Sequence, residues 1–224
     1  MTERVLALVA HPDDETLGCG ATLASHVRSG DEVAVVCFAD GVASRFKGGG
    51  MGAFAAAAKE RHGQFRAACK ILGTQNVFIH QYADNSMDNV PQLQVVNHIE
   101  IHLERFKPTI VYTHHGGDLN VDHRVMHECV KVACRPQPGC TVRGLYFFEV
   151  PCSTTWGEGF NPTYFVDAEK TFETKLLAAR CYKDELKAPP HPRSIEGMTH
   201  IAAVRGNKVG LRYAEAFAVG RIVP

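Results

Sequence analysis

The chain has 224 residues, 45% of them apolar and 21% charged, with 24 basic side chains balanced by 24 acidic ones. Such a chain buries a core without disulfide or metal staples and suits one globular domain or a domain with a small appendage. The even charge balance gives no bulk case for nucleic acid or an anionic membrane as partner, and no apolar stretch approaches the roughly 20 residues that span a bilayer.

The first apolar run is VLALVA (5–10), short and continuous, as expected of a strand buried on both faces. The run is too short for a signal peptide and has no small-residue cleavage site behind it, so a soluble, cytoplasmic protein is expected. The loop AHPDDE follows. A helix over 16–30 is predicted from Leu17, Ala21, Ala24 and Val27, with Gly30 as its stop. EVAVVCFAD (32–40) reads as a second buried strand and 41–52 as a glycine-rich loop. That loop carries Arg45, Phe46 and Lys47, which suit either a lid over a site or a solvated segment. Then come a helix over 53–72 ending at Gly73, a strand NVFIH (76–80), a polar loop to Pro91, and a helix over 92–106.

The fourth strand, TIVYTH (109–114), runs into HGGDLNVDH, from which a helix starts that RPQPG ends. GLYFFEV (144–150) is a fifth strand, YFVDA a short one, and a helix covers about 169–186. HPRS, a helical stretch near 195–205 and YAEAF close the chain. Alternating strands and helices predict an α/β fold, Rossmann-like, with a mostly parallel sheet and helices on both faces. One domain is expected over 1–224, with a core over about 1–150 and a C-terminal extension over about 151–224. No two of the eight cysteines form a CxxC pair. Cys37, Cys69, Cys129 and Cys181 lie in apolar periodic segments and read as small thiols of a reducing compartment, while Cys134 and Cys140 flank the Pro/Gly loop where a bridge or oxidation is conceivable.

Ligands in such sheets bind beyond the carboxyl ends of the strands. If strands one and four are neighbours, AHPDDE and THHGGDLNVDH open into one crevice. Imidazoles and carboxylates at those ends form a ligand set for zinc, ferrous iron or another divalent ion. His11 and Asp14, three apart across a tight loop, can converge on one ion, with His123 as the third ligand. One of the paired aspartates then holds the metal while its neighbour faces the water, and the metal charge offsets their repulsion. The chemistry would be hydrolysis of an acyl bond. The competing account of Asp13 and Asp14 is plain helix N-capping, with acidic groups favoured by the macrodipole. His26, His62, His98, His102, His127 and His200, in helical segments, read as structural or surface residues.

AHPDDE after the first strand, with the later DH ending at His123, resembles the PIG-L/LmbE-like family of zinc-dependent N-deacetylases, which act on N-acetylglucosamine linked to another group. FADGVASR (38–45), ERHGQFRAACKILG (60–73), HPRS and YAEAF are similar to further family segments. The resemblance implies His11, Asp14 and His123 as zinc ligands, Asp13 as general base and Arg61 as a sugar contact. It implies His191 as an oxyanion-stabilising histidine. Family members often carry a histidine three positions before the last ligand; here Asn120 stands there, and an amide does not shuttle protons. That leaves Asp13 to take and return the proton, or Asp118, His114, His115 or His191 to act as acid. Asn120 and Asp122 are placed on the substrate side of the site, Asn120 as a hydrogen-bond donor and Asp122 as a group that orients a neighbour or caps the helix of His123.

The expected partner is therefore a small N-acetyl sugar conjugate, and homo-oligomerisation stays open. Three rivals follow from the same residues. GCG (18–20) mimics a dinucleotide-binding turn, but Leu23 stands at its third glycine position and the glycines lie inside the helix pattern. A zinc-binding scaffold without activity and an amidohydrolase for another acyl group are the others. Trp156 with Phe160 suits either a platform for a sugar ring or a loop anchor.

Overall fold

A computed structural model describes residues 2–46, 48, 50–74 and 76–224; Lys47, part of the expected lid, lies outside them. The elements in chain order are β1 (Arg4–Val9), α1 (Asp14–Arg28), β2 (Glu32–Ala39), α2 (Gly50–Leu72), β3 (Asn76–Tyr82), α3 (Gln92–Phe106), β4 (Ile110–His114), α4 (Val121–Ala133), β5 (Gly144–Phe148), β6 (Tyr164–Asp167), α5 (Phe172–Ala179), α6 (Ile195–Asn207) and β7 (Ala214–Ile222). They build one seven-stranded sheet in the order β3-β2-β1-β4-β5-β7-β6. The first five strands are mutually parallel, and β7 runs antiparallel between β5 and β6. The α/β class and the mostly parallel sheet match the expectation.

Alternation along the strands sorts the core into two layers. Val5, Ala7 and Val9 of β1 with Val33, Val35 and Cys37 of β2 face α1, α2, α5 and α6. Leu6, Leu8, Ala34 and Val36 face the other way, onto Val95, Val96 and Ile99 of α3 and Met126, Cys129 and Val130 of α4. Strands β1 and β4 pair directly, with Leu6 opposite Val111. The chain thus winds outward in opposite directions on either side of this pair, which makes the β1/β4 edge the switch point where a crevice opens.

Four departures from the sequence pattern stand out. Helix α1 is broken at Cys19 (φ −140°, ψ 19°), although the apolar spacing runs through it unbroken. The break is filled by a buried pair: Glu215 of β7 accepts from the N–H groups of Ala21 and Thr22, and Lys175 of α5 donates to the Leu17 carbonyl and to Glu215. Gly18 lies under the Phe148 ring, where any side chain would overlap it. The helix expected to reach residue 186 stops at Ala179, and the turns after it carry Tyr182 and Glu185 inward. The YAEAF segment opens a full strand, β7, and α2 begins at Gly50, shortening the glycine-rich loop. All eight cysteines are free, Cys134 and Cys140 among them.

Candidate active site

The residues after β1 make a sharp turn. Asp13 has φ +121°, a region that residues with a β-carbon seldom enter. It stands at the N-cap of α1, yet its side chain makes no capping hydrogen bond. Simple capping therefore does not account for this carboxylate. Its backbone N–H donates to the Glu15 carboxylate at 3.1 Å. Glu15 is fully buried and accepts from the Thr16 and Tyr182 hydroxyls at 2.5 and 2.7 Å. Burial pushes the Glu15 carboxyl up to about 7, against the pull of those hydroxyls. Gly41, after β2, has φ +71° and lies so close to Pro12 that a side chain there would push the two loops apart.

His11, Asp14 and His123 meet at the β1/β4 crevice. His11 Nδ1 lies 3.2 Å from His123 Nε2, and each of these nitrogens lies 3.3 Å from Asp14 Oδ2. The three side chains are 7%, 1% and 1% exposed as residues in the order His11, Asp14, His123. A tetrahedral ion with bonds of about 2.0–2.1 Å holds its ligand atoms about 3.3–3.4 Å apart, the size of this triangle. Among the described residues a second such grouping joins His11 with Asp84 and Asp122.

The far side of each ring explains the orientation. His11 Nε2 faces Asp122 Oδ2 at 2.9 Å and Asp84 Oδ1 at 3.1 Å, while His123 Nδ1 lies 3.1 Å from Asp118 Oδ1. With a proton on each outer nitrogen, both inner nitrogens present lone pairs to the Asp14 oxygen. Three donor atoms so placed could hold a cation among them. Carboxylates behind ligand histidines fix tautomer and ring orientation in this way. The second grouping shares His11 with the first and holds its outer nitrogen. Asp14 Oδ1, buried without a partner, belongs to the same picture.

The field agrees. Burial opposes charge on His11, but hydrogen bonds to Asp122, Asp14 and Asp84 raise its pKa well above the ordinary value. Burial is likewise outweighed at His123, where Asp14 and Asp118 raise it to about 9. Burial opposes charge on Asp14, but His123 and hydrogen bonds from His11 and His123 hold it well below the usual carboxylate range. The pocket attracts positive charge. Asp13 is different: burial raises it to about 6, with Arg193 pulling down and Asp14 and Glu185 pushing up.

Asp13 lines a small cleft of about 50 Å³ with His11, Arg45, Arg61, Asp84, Asn120, Glu185 and Arg193. Arg61, from α2, donates to Glu185 at 2.5 Å, and Arg45 from the 43–45 turn pairs with the same carboxylate at 2.9 Å. Asn120 lines the cleft but also caps α4: its carbonyl accepts from the Asp122 N–H at 2.8 Å and its amide donates to Asn85 at 2.9 Å.

Several expected roles need correction. Asp122, assigned to the substrate side, is fully buried behind His11, with its oxygens held by the N–H groups of Asn85 and Met87. It orients a neighbour, and that neighbour is His11. Asp118 serves His123 and accepts from Thr154 and Ser153; burial raises it, but His123 brings it down to about 2, which leaves it no proton to give near neutrality. His114 stacks on His123 at 4.0 Å and accepts the Ala10 N–H at 2.9 Å. Burial holds it well below the ordinary histidine value, so it is neutral. His115 turns to the Glu158 carbonyl and the Phe160 ring. His191 spends Nδ1 accepting from the Arg193 N–H, sits beside Trp156, and does not line the cleft; Arg193 does. Trp156 and Phe160 pack on different partners, Phe160 beneath the Arg205 guanidinium.

Asp84, Glu15, Glu185 and Arg193 are the site residues that sequence reasoning missed. Asp84, Glu185 and Arg193 lie in polar segments without periodicity and are joined only by folding, whereas Glu15 stands in AHPDDE itself, where nothing but burial marks it.

Among the described residues no helix is long and apolar enough to cross a membrane. Residues 6–134, more than half the chain, match the model of the PIG-L family, described as GlcNAc-PI de-N-acetylase. The uncharacterized deacetylase YaiS of Escherichia coli (strain K12) is 32% identical over 182 residues, which is 78% of this chain and 87% of that protein. Two solved structures share the fold. The N,N'-diacetylchitobiose deacetylase of Pyrococcus horikoshii superimposes with a TM-score of 0.78 at 22% identity, over 97% of this chain and 83% of that one. The 4-carboxy-2-hydroxymuconate hydratase GalB of Pseudomonas putida KT2440 does so with 0.76 at 22% identity, over 100% and 99%. One fold thus carries a deacetylase and a hydratase, and the site must select the reaction. The chain belongs to the PIG-L family of deacetylases.

Proposed function

We propose that this member of the PIG-L family removes the acetyl group from an N-acetylated sugar or sugar conjugate, with a divalent metal, zinc by its donor set, held by His11, Asp14 and His123. The triangle of 3.2, 3.3 and 3.3 Å among the three donor atoms is the observation that carries the reading. Two imidazoles with one carboxylate form a three-ligand set that keeps a coordination position open. A bound ion there would polarise the amide carbonyl and acidify water.

The chain's own residues supply the rest. Asp13 lines the cleft next to the triangle, and its carboxylate is the base that takes the proton of the attacking water. Addition of that water's oxygen to the carbonyl carbon gives a tetrahedral intermediate. Asp13 returns the proton to the departing nitrogen, the C–N bond breaks, and acetate and an amine result. With Asp118 ionised and His114 neutral and buried, Asp13 is left to serve in both directions. Asn120 and Arg61 line the same cleft and suit contacts to sugar hydroxyls.

The reading is tested by acetate release from a panel of N-acetylglucosamine conjugates, with the protein stripped of metal and then reloaded with Zn²⁺ or Fe²⁺. Release should depend on added metal. Asp13→Asn should lower it on the order of 100-fold or more while metal content stays unchanged. A metal-loaded wild type that releases no acetate from any member of the panel, or an Asp13→Asn variant with wild-type turnover, overturns it.

A further inference from the structure

Arg193 lies between α5 and α6, beyond the residues that the family model matches. Its guanidinium is shared between two carboxylates. Nη1 lies 3.3 Å from Asp13 Oδ2 and 3.3 Å from Glu185 Oε2, while Nε donates to the Pro151 carbonyl at 3.4 Å. The backbone that presents it is fixed by the Arg193 N–H on His191 Nδ1 and by Ser194, which caps α6. Glu185, 4% exposed, is gripped from its other sides by Arg61 and Arg45.

Among the described residues, Arg193 is the one side chain that donates a hydrogen bond to the Asp13 carboxylate. The Asp13 backbone is strained, and no capping bond ties its carboxylate down. A carboxylate free to rotate in a cleft this small would turn toward any neighbouring cation. Its direction is therefore set from outside, by a guanidinium that Glu185 and Pro151 hold in place. Planar guanidinium groups suit that task, because their N–H bonds have fixed directions.

We propose that Arg193 is a positioning residue for the hydrolysis, holding Asp13 by one oxygen so that the other is left to take and return the proton. Glu185 in turn aims Arg193. The inference rests on the reading of Asp13 as the base. It adds that the base is oriented from the C-terminal part of the chain.

The test uses full-length protein as purified, with the variants Arg193→Gln, Arg193→Lys and Arg193→Ala beside Asp13→Asn. A base turned out of line costs on the order of 100-fold in rate. Arg193→Gln should therefore lose about that factor in kcat with KM changed less than about 3-fold. Arg193→Lys, which keeps the charge without the planar fork, should recover only part. Millimolar guanidinium should restore part of the rate to Arg193→Ala and none to Asp13→Asn, a response that a purely structural arginine would not give. A rise in KM at unchanged kcat would instead make Arg193 a substrate contact and overturn the proposal, as would wild-type kcat in Arg193→Gln. A second arm needs no substrate. Melting temperatures of Arg193→Gln, Asp13→Asn and the double variant should not add, because the groups touch. Additive shifts overturn the contact and the proposal alone. Non-additive shifts in a protein that hydrolyses no N-acetyl compound overturn the reaction, and the positioning role falls with it.

Discussion

Replacing Lys175 with methionine removes the cation from the break in α1. The side chain is sealed, with Nζ 2.8 Å from the Leu17 carbonyl and 2.6 Å from Glu215, and the two residues are 6% and 4% exposed. Methionine fills similar space but donates nothing. It leaves a buried carboxylate without its counter-charge and a buried carbonyl without a donor. Removing one partner of such a pair costs about 3–5 kcal/mol. Glu215 keeps the N–H groups of Ala21 and Thr22 at 3.1 and 2.7 Å, which favours the lower end. In a chain of this size each kcal/mol moves the melting temperature by about 2–4 °C, so a loss of about 3 kcal/mol lowers it by about 6–12 °C. Calorimetry and urea titration of Lys175→Met measure it. The double variant Lys175→Met/Glu215→Gln, which removes the stranded charge but keeps an acceptor for only one of the two helix N–H groups, should recover part of the drop. A single variant melting within about 2 °C of wild type, or a double variant less stable than the single, refutes the view that this pair holds the broken helix together.

Two further outcomes follow from groups around the site and at the edge of the sheet. Asp118→Asn removes the carboxylate facing His123 Nδ1 and should lower zinc affinity about 10–100-fold in competition with a chromophoric chelator; an unchanged affinity would detach Asp118 from the proposed metal site. On β3, His80 stacks on Phe38 and on His98, and its Nε2 lies 2.9 Å from that of His102. Burial, followed by the nearby His102 and His98, lowers His80 to about 4. Because the unfolded chain takes up this proton near 6.5 and the folded one near 4, stability contributed here is present above 6.5 and is lost as pH falls through that window. Melting temperatures between pH 7.5 and 4 should fall less steeply for His80→Phe than for wild type, and identical slopes would remove His80 from the acid response. The groups facing His80 from α3 are His98 and His102, with Arg105 acting on the latter.

Residues within one loop of each other were the legible ones. Asp14 and His11 are three apart, and their convergence follows from a tight turn after a buried strand. His123 required only that β1 and β4 be neighbours, which the alternation of strands and helices already suggested. The missed groups lack any such signature. Asp84 sits in a polar loop after β3, while Glu185 and Arg193 follow α5, more than a hundred residues from Asp13 in the chain. Their meeting is a product of the antiparallel β7 and of the early end of α5, neither of which periodicity announces. The broken α1 was hidden for a similar reason. Leu17, Ala21 and Ala24 keep helical spacing through Cys19, and the groups that fill the break come from α5 and β7. Asp122 shows the opposite error. It stands one residue before His123 but turns to the His11 ring, because the loop after β3 offers it two N–H groups there.

The cleft has two authors. The triangle and its supporting carboxylates come from the segment that matches the family model, whereas Glu185 and Arg193 are contributed by the residues beyond it. Substitutions among those residues can therefore reshape the mouth of the pocket while His11, Asp14 and His123 stay untouched.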